Sequence, residues 1–189
     1  TNGIEQGSSN TPSSLIGGGV TGSNIGNYIE VQNLNNNGII VTGGKLESNN
    51  TTIFVNGDGS HDTHSNGIYH DNGTVESRRD RFELSDGDDN FINGIYNKSG
   101  DLTVKGSKFT INSNPDHNKT SNHNNNAILV DTGTIDIKSD GAIGTSGGVA
   151  TSFNINGNQN NGVRLQGGTA TIDADFGVHG TGNNGVLAN

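Results

Sequence analysis

The sequence predicts an all-β fold, a right-handed parallel β-helix (β-solenoid) of about six coils with variable corner loops. Three observations predict it: a recurring two-part phrase, a constant spacing inside that phrase, and a composition rich in Asn and Gly. The phrase ends in an apolar-x-apolar pair that recurs along the chain. The pairs are Ile29/Val31, Ile53/Val55, Phe82/Leu84, Phe109/Ile111, Phe153/Ile155 and Phe176/Val178.

A turn-and-strand phrase precedes most of these pairs. It starts with Asn-Gly or Asn-Ala, continues with a branched apolar residue and reaches a glycine a few positions later. Its occurrences are NGIIVTGGKL from Asn37, NGIYHDNGTV from Asn66, NGIYNKSGDL from Asn93, NAILVDTGTI from Asn126 and NGVRLQGGTA from Asn161.

The spacing inside this repeat is nearly constant. From the residue after the Asn to the first member of the pair it is 15 in three repeats and 14 in the last. In the remaining repeat this distance is 26, and the excess of 11 is matched by the Gly/Ser-rich stretch around residues 139–148. The distance from a pair to the next Asn varies from 6 to 15. This pattern indicates a fixed structural unit with loops inserted at one recurrent corner.

Each repeat carries strand signals. In KFTIN, RFELS and SFNIN, apolar and polar residues alternate with the period of a half-buried strand. In the second repeat we expect strands at residues 38–42, near Leu46 and at 53–56. Residues 1–189 are interpreted as one β-solenoid segment, a fragment of a longer protein. A β-sandwich built from the same strands is the alternative.

The composition agrees with a thin core. Only 27% of residues are hydrophobic, and a β-solenoid needs only a few inward residues per coil. Asn at the same corner of successive coils is expected to stack as a hydrogen-bonded ladder. The absence of Cys excludes disulfides. A net charge of −9 argues against nucleic acid and anionic lipid as partners, and we expect no direct insertion into a membrane.

The NGI-x4-G-x-apolar phrase followed by F-x-I, with Asn- and Gly-rich corners, resembles the β-helical passenger domain of bacterial autotransporter adhesins. The resemblance covers nearly the whole chain from about Asn24. It implies export across the outer membrane, an extracellular location on the bacterial cell surface, a role in virulence, and contact with a host protein or glycan. Two-partner secreted haemagglutinin-like proteins share the pattern, so the secretion route stays open.

Two classes of function follow. One is attachment to a host receptor, and the other is self-association of rods on neighbouring cells, as in a biofilm. A polysaccharide-acting β-helix enzyme is a third, less favoured class. Such enzymes need charged groups that converge in one groove, whereas the acids here concentrate in corner loops. We therefore expect neither catalysis nor a cofactor.

Three corner loops carry His and Asp residues. They are NGDGSHDTHSN, DGDDN and NPDHNKTSNH, which stacking would bring side by side. Oxygen and imidazole ligands suit calcium or zinc, but Asp, Gly and Asn are also ordinary turn residues. We expect no metal site and interpret these loops as partner contacts. The candidates in these loops are His61, His64, Asp88, Asp89, His117 and His123.

A basic cluster and two tyrosines complete the candidates. Arg78, Arg79 and Arg81 form the RRDR cluster, which either grips an acidic glycan or partner carboxylate or pairs with Glu76, Glu83 or the acidic loop that follows. Tyr69 and Tyr96 occupy the same repeat position. They are either an outward platform for a carbohydrate or protein, or a ladder that stabilises stacking.

Overall fold

Parallel strands that pair each repeat with the next organise this computed structural model. It describes residues 2–6, 13–17, 27–32, 36–57, 64–86, 91–113, 125–141 and 147–189. These residues form 17 strands and no helix. The strands are β1 (Asn2–Gln6), β2 (Ser13–Gly17), β3 (Asn27–Gln32), β4 (Asn37–Val41), β5 (Lys45–Asn49), β6 (Thr51–Gly57), β7 (His64–Arg78), β8 (Arg81–Asp86), β9 (Phe91–Lys105), β10 (Lys108–Ser113), β11 (Asn125–Val130), β12 (Thr134–Lys138), β13 (Ser152–Asn156), β14 (Asn160–Leu165), β15 (Thr169–Ile172), β16 (Asp175–Val178) and β17 (Asn184–Ala188).

The strands belong to two sheets. The large sheet has 11 strands, with the order β1-β4-β7-β9-β11-β14-β17 and the further strands β2, β5, β12 and β15 alongside. The small sheet has 6 strands in the order β3-β6-β8-β10-β13-β16. All pairings between these strands are parallel. The prediction of an all-β chain is thereby confirmed, with parallel strands arranged in two sheets.

The apolar pairs lie on the small sheet, in register from one repeat to the next. Phe82 pairs with Phe109, Phe109 with Phe153, and Phe153 with Phe176. Their rings stack with centroid separations of 4.6, 4.8 and 4.7 Å. The first three rings are fully buried, so this phenylalanine column belongs to the core.

The large sheet supplies the opposite wall of the core. One buried column on this sheet consists of the branched residues that follow Asn-Gly or Asn-Ala, and a second column lies on the adjacent strand segments. The first column contains Ile39, Ile68, Ile95, Ile128 and Val163. The second contains Leu46, Val75, Leu102 and Ile135.

The glycine of the Asn-Gly phrase is required by close packing. A Cβ atom on Gly67 would lie 2.6 Å from the carbonyl oxygen of Gly94 and 2.7 Å from Cγ2 of Ile53. Both distances are below normal van der Waals contact, and one neighbour is backbone that cannot easily move. The recurrence of Gly after Asn therefore reflects the approach of the two sheets at this point.

The recurrent Asn residues form the predicted ladder. In each step the Nδ2 atom of one Asn donates a hydrogen bond to the Oδ1 atom of its counterpart in the preceding repeat. The donor–acceptor distances are 2.8 Å for Asn66 to Asn37, and 2.9 Å for Asn93 to Asn66, Asn126 to Asn93, Asn161 to Asn126 and Asn184 to Asn161. The ladder satisfies amides that are mostly buried.

In the repeat with the longest spacing, two residues pair across the insertion. Between β12 and β13, Asp140 and Val149 form an isolated antiparallel bridge with N–H···O distances of 2.7 and 3.0 Å. Residues 142–146 of the insertion lie outside the described residues. The variable connections at 58–63, 87–90 and 114–124 lie outside the described residues.

Phe109→Ala is expected to lower the free energy of unfolding by about 3–5 kcal/mol, because it removes a ring from the centre of the stack. Urea denaturation followed by circular dichroism measures the change. Thr110→Ala, which alters the partly exposed neighbour on the other face, is the control and should cost less than about 1 kcal/mol. A loss below about 1 kcal/mol for Phe109→Ala would contradict the column.

Asn93→Ala is expected to cost about 1–3 kcal/mol, since it leaves a donor on one side and an acceptor on the other without this partner. The same denaturation measurement applies. Asn112→Ala is the matched control, because Asn112 is exposed and accepts a hydrogen bond only from the facing Asn156. Equal effects of the two changes would show that the ladder adds no stability.

Candidate functional site

The RRDR cluster lies at the turn between β7 and β8, and its aspartate points inward. Asp80 is buried, and its carboxylate accepts hydrogen bonds from the Thr51 amide and the Ser77 hydroxyl, both at 2.8 Å. Its own amide donates to Oγ of Ser107 at 3.1 Å. Burial raises the pKa of Asp80 to about 6, against the opposing effect of these hydrogen bonds. Asp80 therefore belongs to the scaffold of the corner.

Arg78 and Arg79 both bind Asp140, at the base of the insertion. Nε of Arg78 donates to Oδ1 of Asp140 at 2.9 Å, and the Arg79 guanidinium pairs with Oδ2. The Arg79 side chain also donates to the Gly147 carbonyl at 2.9 Å. Among the described residues these two arginines therefore pair with Asp140 and not with Glu76 or Glu83, whereas the acidic loop at 87–90 lies outside the described residues. Glu76 instead accepts a hydrogen bond from Lys105.

This pairing fixes a strained turn. Arg79 has a φ of 53°, in the left-handed region that non-glycine residues rarely adopt. Burial of Asp140 would raise its pKa, but the hydrogen bonds from Arg78 and Arg79 hold that pKa below its usual range. The side chains of Arg78 and Arg79 are still 48% and 44% exposed, so their outer edges remain accessible to a partner.

Arg81 is paired as the sequence predicts. Its guanidinium contacts the carboxylate of Glu83, two residues further along β8. The arginine side chain is 58% exposed, so this surface pair adds little to stability.

The His and Asp candidates are mostly beyond the described residues. These are His61, Asp88, Asp89, His117 and His123, and for His64 only the backbone is described, at the start of β7. Within the described ranges, no group of three or more His, Cys, Asp or Glu side chains is arranged to hold a metal ion. The assignment of the loop residues to partner contact therefore stays a prediction.

The two tyrosines lie on the outward face of the large sheet, in a column that continues through all its central strands. Tyr69 and Tyr96 are in register, and their rings meet edge to face with centroids 5.4 Å apart. Both are partly exposed, so they form an outward surface and a stacking contact at once. The column consists of Ile40, Tyr69, Tyr96, Leu129, Arg164 and Leu187.

A groove of about 350 Å³ opens beside Tyr96. The Tyr96 hydroxyl donates a hydrogen bond to the Asp131 carboxylate, and burial together with this bond raises the pKa of the tyrosine. The ring is therefore held in one orientation by a polar contact at its tip. The groove is lined by Phe91, Asn93, Tyr96, Asn126, Leu129, Asp131, Arg164 and Gln166.

Sequence reasoning found Tyr96 but missed the residues of the following repeats. Leu129 and Arg164 occupy the positions that match Tyr96 when NAIL and NGVR are aligned with NGIY. Aligning the repeats in this way would have identified both residues from the sequence. Arg164 is notable because its Nε atom is buried without a hydrogen-bond partner, and the side chain makes no ion pair with any described residue.

Comparison of the chain with protein-family models, curated proteins and solved structures finds no match. The parts of the chain that the structure describes contain no helix of the length and apolar character needed to cross a membrane. Its function is therefore inferred from the chemistry of the surfaces that the structure describes.

The stability difference between wild type and Asp80→Asn is expected to change with pH. The folded-state pKa of Asp80 is about 6 against 3.8 normally, so the folded state holds the proton more tightly. The stabilisation from this bound proton is complete below about pH 4 and is lost as the pH rises through 6. The free energy of unfolding of the wild type falls by about 3 kcal/mol in total from this cause. Asn cannot titrate, so the stability of the variant relative to the wild type should rise over this pH range.

Denaturant titrations from pH 4 to 7 measure this difference. His70, whose pKa is lowered by burial, gives a slope of the opposite sign, but it is present in both proteins and cancels. A constant difference between the two proteins across the range would contradict a raised pKa at Asp80.

Proposed function

We propose that the two sheets wind into a right-handed parallel β-helix of about six coils, one coil per repeat. Each repeat contributes strands to both sheets, and every strand pairs in parallel with its counterparts in neighbouring repeats. Connections between parallel strands of one sheet are almost always right-handed. A β-sandwich is disfavoured because its sheets are antiparallel.

We further propose that this chain is a segment of a bacterial cell-surface adhesin, extracellular and displayed by an autotransporter or a related route. The observation that carries this proposal is the outward column on the large sheet. It places two tyrosines, a leucine and an arginine that makes no ion pair with any described residue side by side on one sheet face. Exposed aromatic and arginine side chains on a rigid scaffold are typical of binding surfaces. The partner is a host cell-surface protein or glycan.

A second candidate function is self-association between rods on neighbouring cells. The outward side of the small sheet favours it, because two of its columns are polar over several repeats. These columns are Arg81, Lys108, Ser152 and Asp175, and Glu83, Thr110 and Asn154. Many weak hydrogen bonds and ion pairs between such faces would add in parallel.

Cell binding by the labelled chain tests the adhesin proposal. We expect saturable binding to host cells that persists in EDTA and falls at least about tenfold in the double variant Tyr69→Ser/Tyr96→Ser, because aromatic anchors dominate binding energy. Tyr28→Ser is the matched control, since Tyr28 is 62% exposed but lies on the small sheet. Binding that is absent, or equal in both variants, would contradict the proposal.

Sedimentation across concentration separates the second candidate. A mass that rises with concentration and is reduced by Asn154→Ala would favour self-association through the small sheet. A constant mass, together with cell binding, would favour a host receptor.

A further inference from the structure

We propose that the groove beside Tyr96 binds an acidic saccharide, with Arg164 as the counter-ion of the sugar carboxylate. The inference rests on the proposed adhesin function and deepens it by naming the class of ligand and the residues that recognise it. It is carried by three features of the groove: an unpaired guanidinium, a fixed aromatic ring and a polar rim.

The guanidinium comes first. Arg164 lies between Leu129 and Leu187 in the outward column, so its aliphatic stem is flanked by apolar side chains. Its Nε atom is buried and has no partner, although buried donors are satisfied in nearly all proteins. A guanidinium binds a carboxylate through two parallel hydrogen bonds. A carboxylate in the groove therefore supplies a charged partner that the residues described by the structure do not.

The aromatic ring comes second. Tyr96 lines the groove with a ring held in place by its hydrogen bond to Asp131. Because the hydroxyl is engaged, the accessible part of the residue is its apolar ring. The C–H face of a pyranose is apolar and flat, and an ordered ring offers it a contact surface at low entropic cost.

The polar rim selects a singly charged ligand that carries hydroxyl groups. Asp131 uses Oδ2 for Tyr96, so Oδ1 remains to accept a hydrogen bond from a sugar hydroxyl. Its negative charge also offsets that of Arg164, which favours one carboxylate over a doubly charged phosphate. The exposed Gln166 adds an amide at the rim. The volume of about 350 Å³ is at the lower end for small-ligand sites, enough for about one or two sugar rings.

Calorimetric titration of the whole chain tests the inference with two matched pairs of probes. The first pair is 3′-sialyllactose and lactose, and the second is tetragalacturonate and tetragalactose. We expect the acidic member of one pair to bind at least about tenfold more tightly than its neutral member. The pair that responds identifies the source of the carboxylate as a sialic or a uronic acid.

Variants locate the site. Arg164→Gln should lower the affinity for the acidic probe at least about tenfold and leave the neutral one unchanged, because it removes the charge and the fork. Lys138→Gln removes the same charge from an exposed pair with Asp136 outside the groove and should change nothing. Arg164→Lys should recover only part of the loss, since an ammonium lacks the planar fork. Thermal melting of each variant verifies its fold.

Three results would overturn the inference. They are no binding of either acidic probe at millimolar concentration, equal binding of acidic and neutral probes, and binding that Arg164→Gln does not weaken. The adhesin proposal fails separately. Cell binding that survives Arg164→Gln leaves the adhesin standing without this site, and saccharide binding by a chain that binds no cells leaves the site standing without the adhesin.

Discussion

The parallel, in-register pairing of successive repeats is the constraint on which the rest of the structure depends. Since each residue lies beside its own counterpart, every position has to tolerate a neighbour of the same kind. Asn meets this condition because one amide carries both a donor and an acceptor, and Phe meets it because its rings stack. Carboxylates do not meet it. Glu47 and Glu76 are register neighbours, and each is paired with a lysine, Lys45 and Lys105 respectively.

The same register places two buried polar residues of the interior side by side. His70 and Asn97 occupy one inward column between Val41 and Val130. Both are completely buried, and burial lowers the pKa of His70. The two polar residues are neighbours in this column, so its polar part is confined to two adjacent repeats.

What repeats in the sequence could be predicted, and what occurs once could not. The Asn ladder and the phenylalanine column follow from spacing alone, because identical spacing puts identical residues in contact. The pairing of Arg78 and Arg79 with Asp140 does not, since it depends on how a single insertion folds back. The groove could be predicted from the sequence only in part. Its members Tyr96, Leu129 and Arg164 share a repeat position, but only the register shows that three different side chains make one surface.

The Asn ladder has a direction, because every amide group donates toward the preceding repeat and accepts from the following one. Its side-chain dipoles therefore add along the stack instead of cancelling. The two ends of such a stack are chemically different, one carrying amide hydrogens and the other carbonyl oxygens. Two copies meeting by equivalent ends would oppose like poles, whereas head-to-tail contact would match them. The row of amides thus gives the stack a polarity that the apolar core does not have.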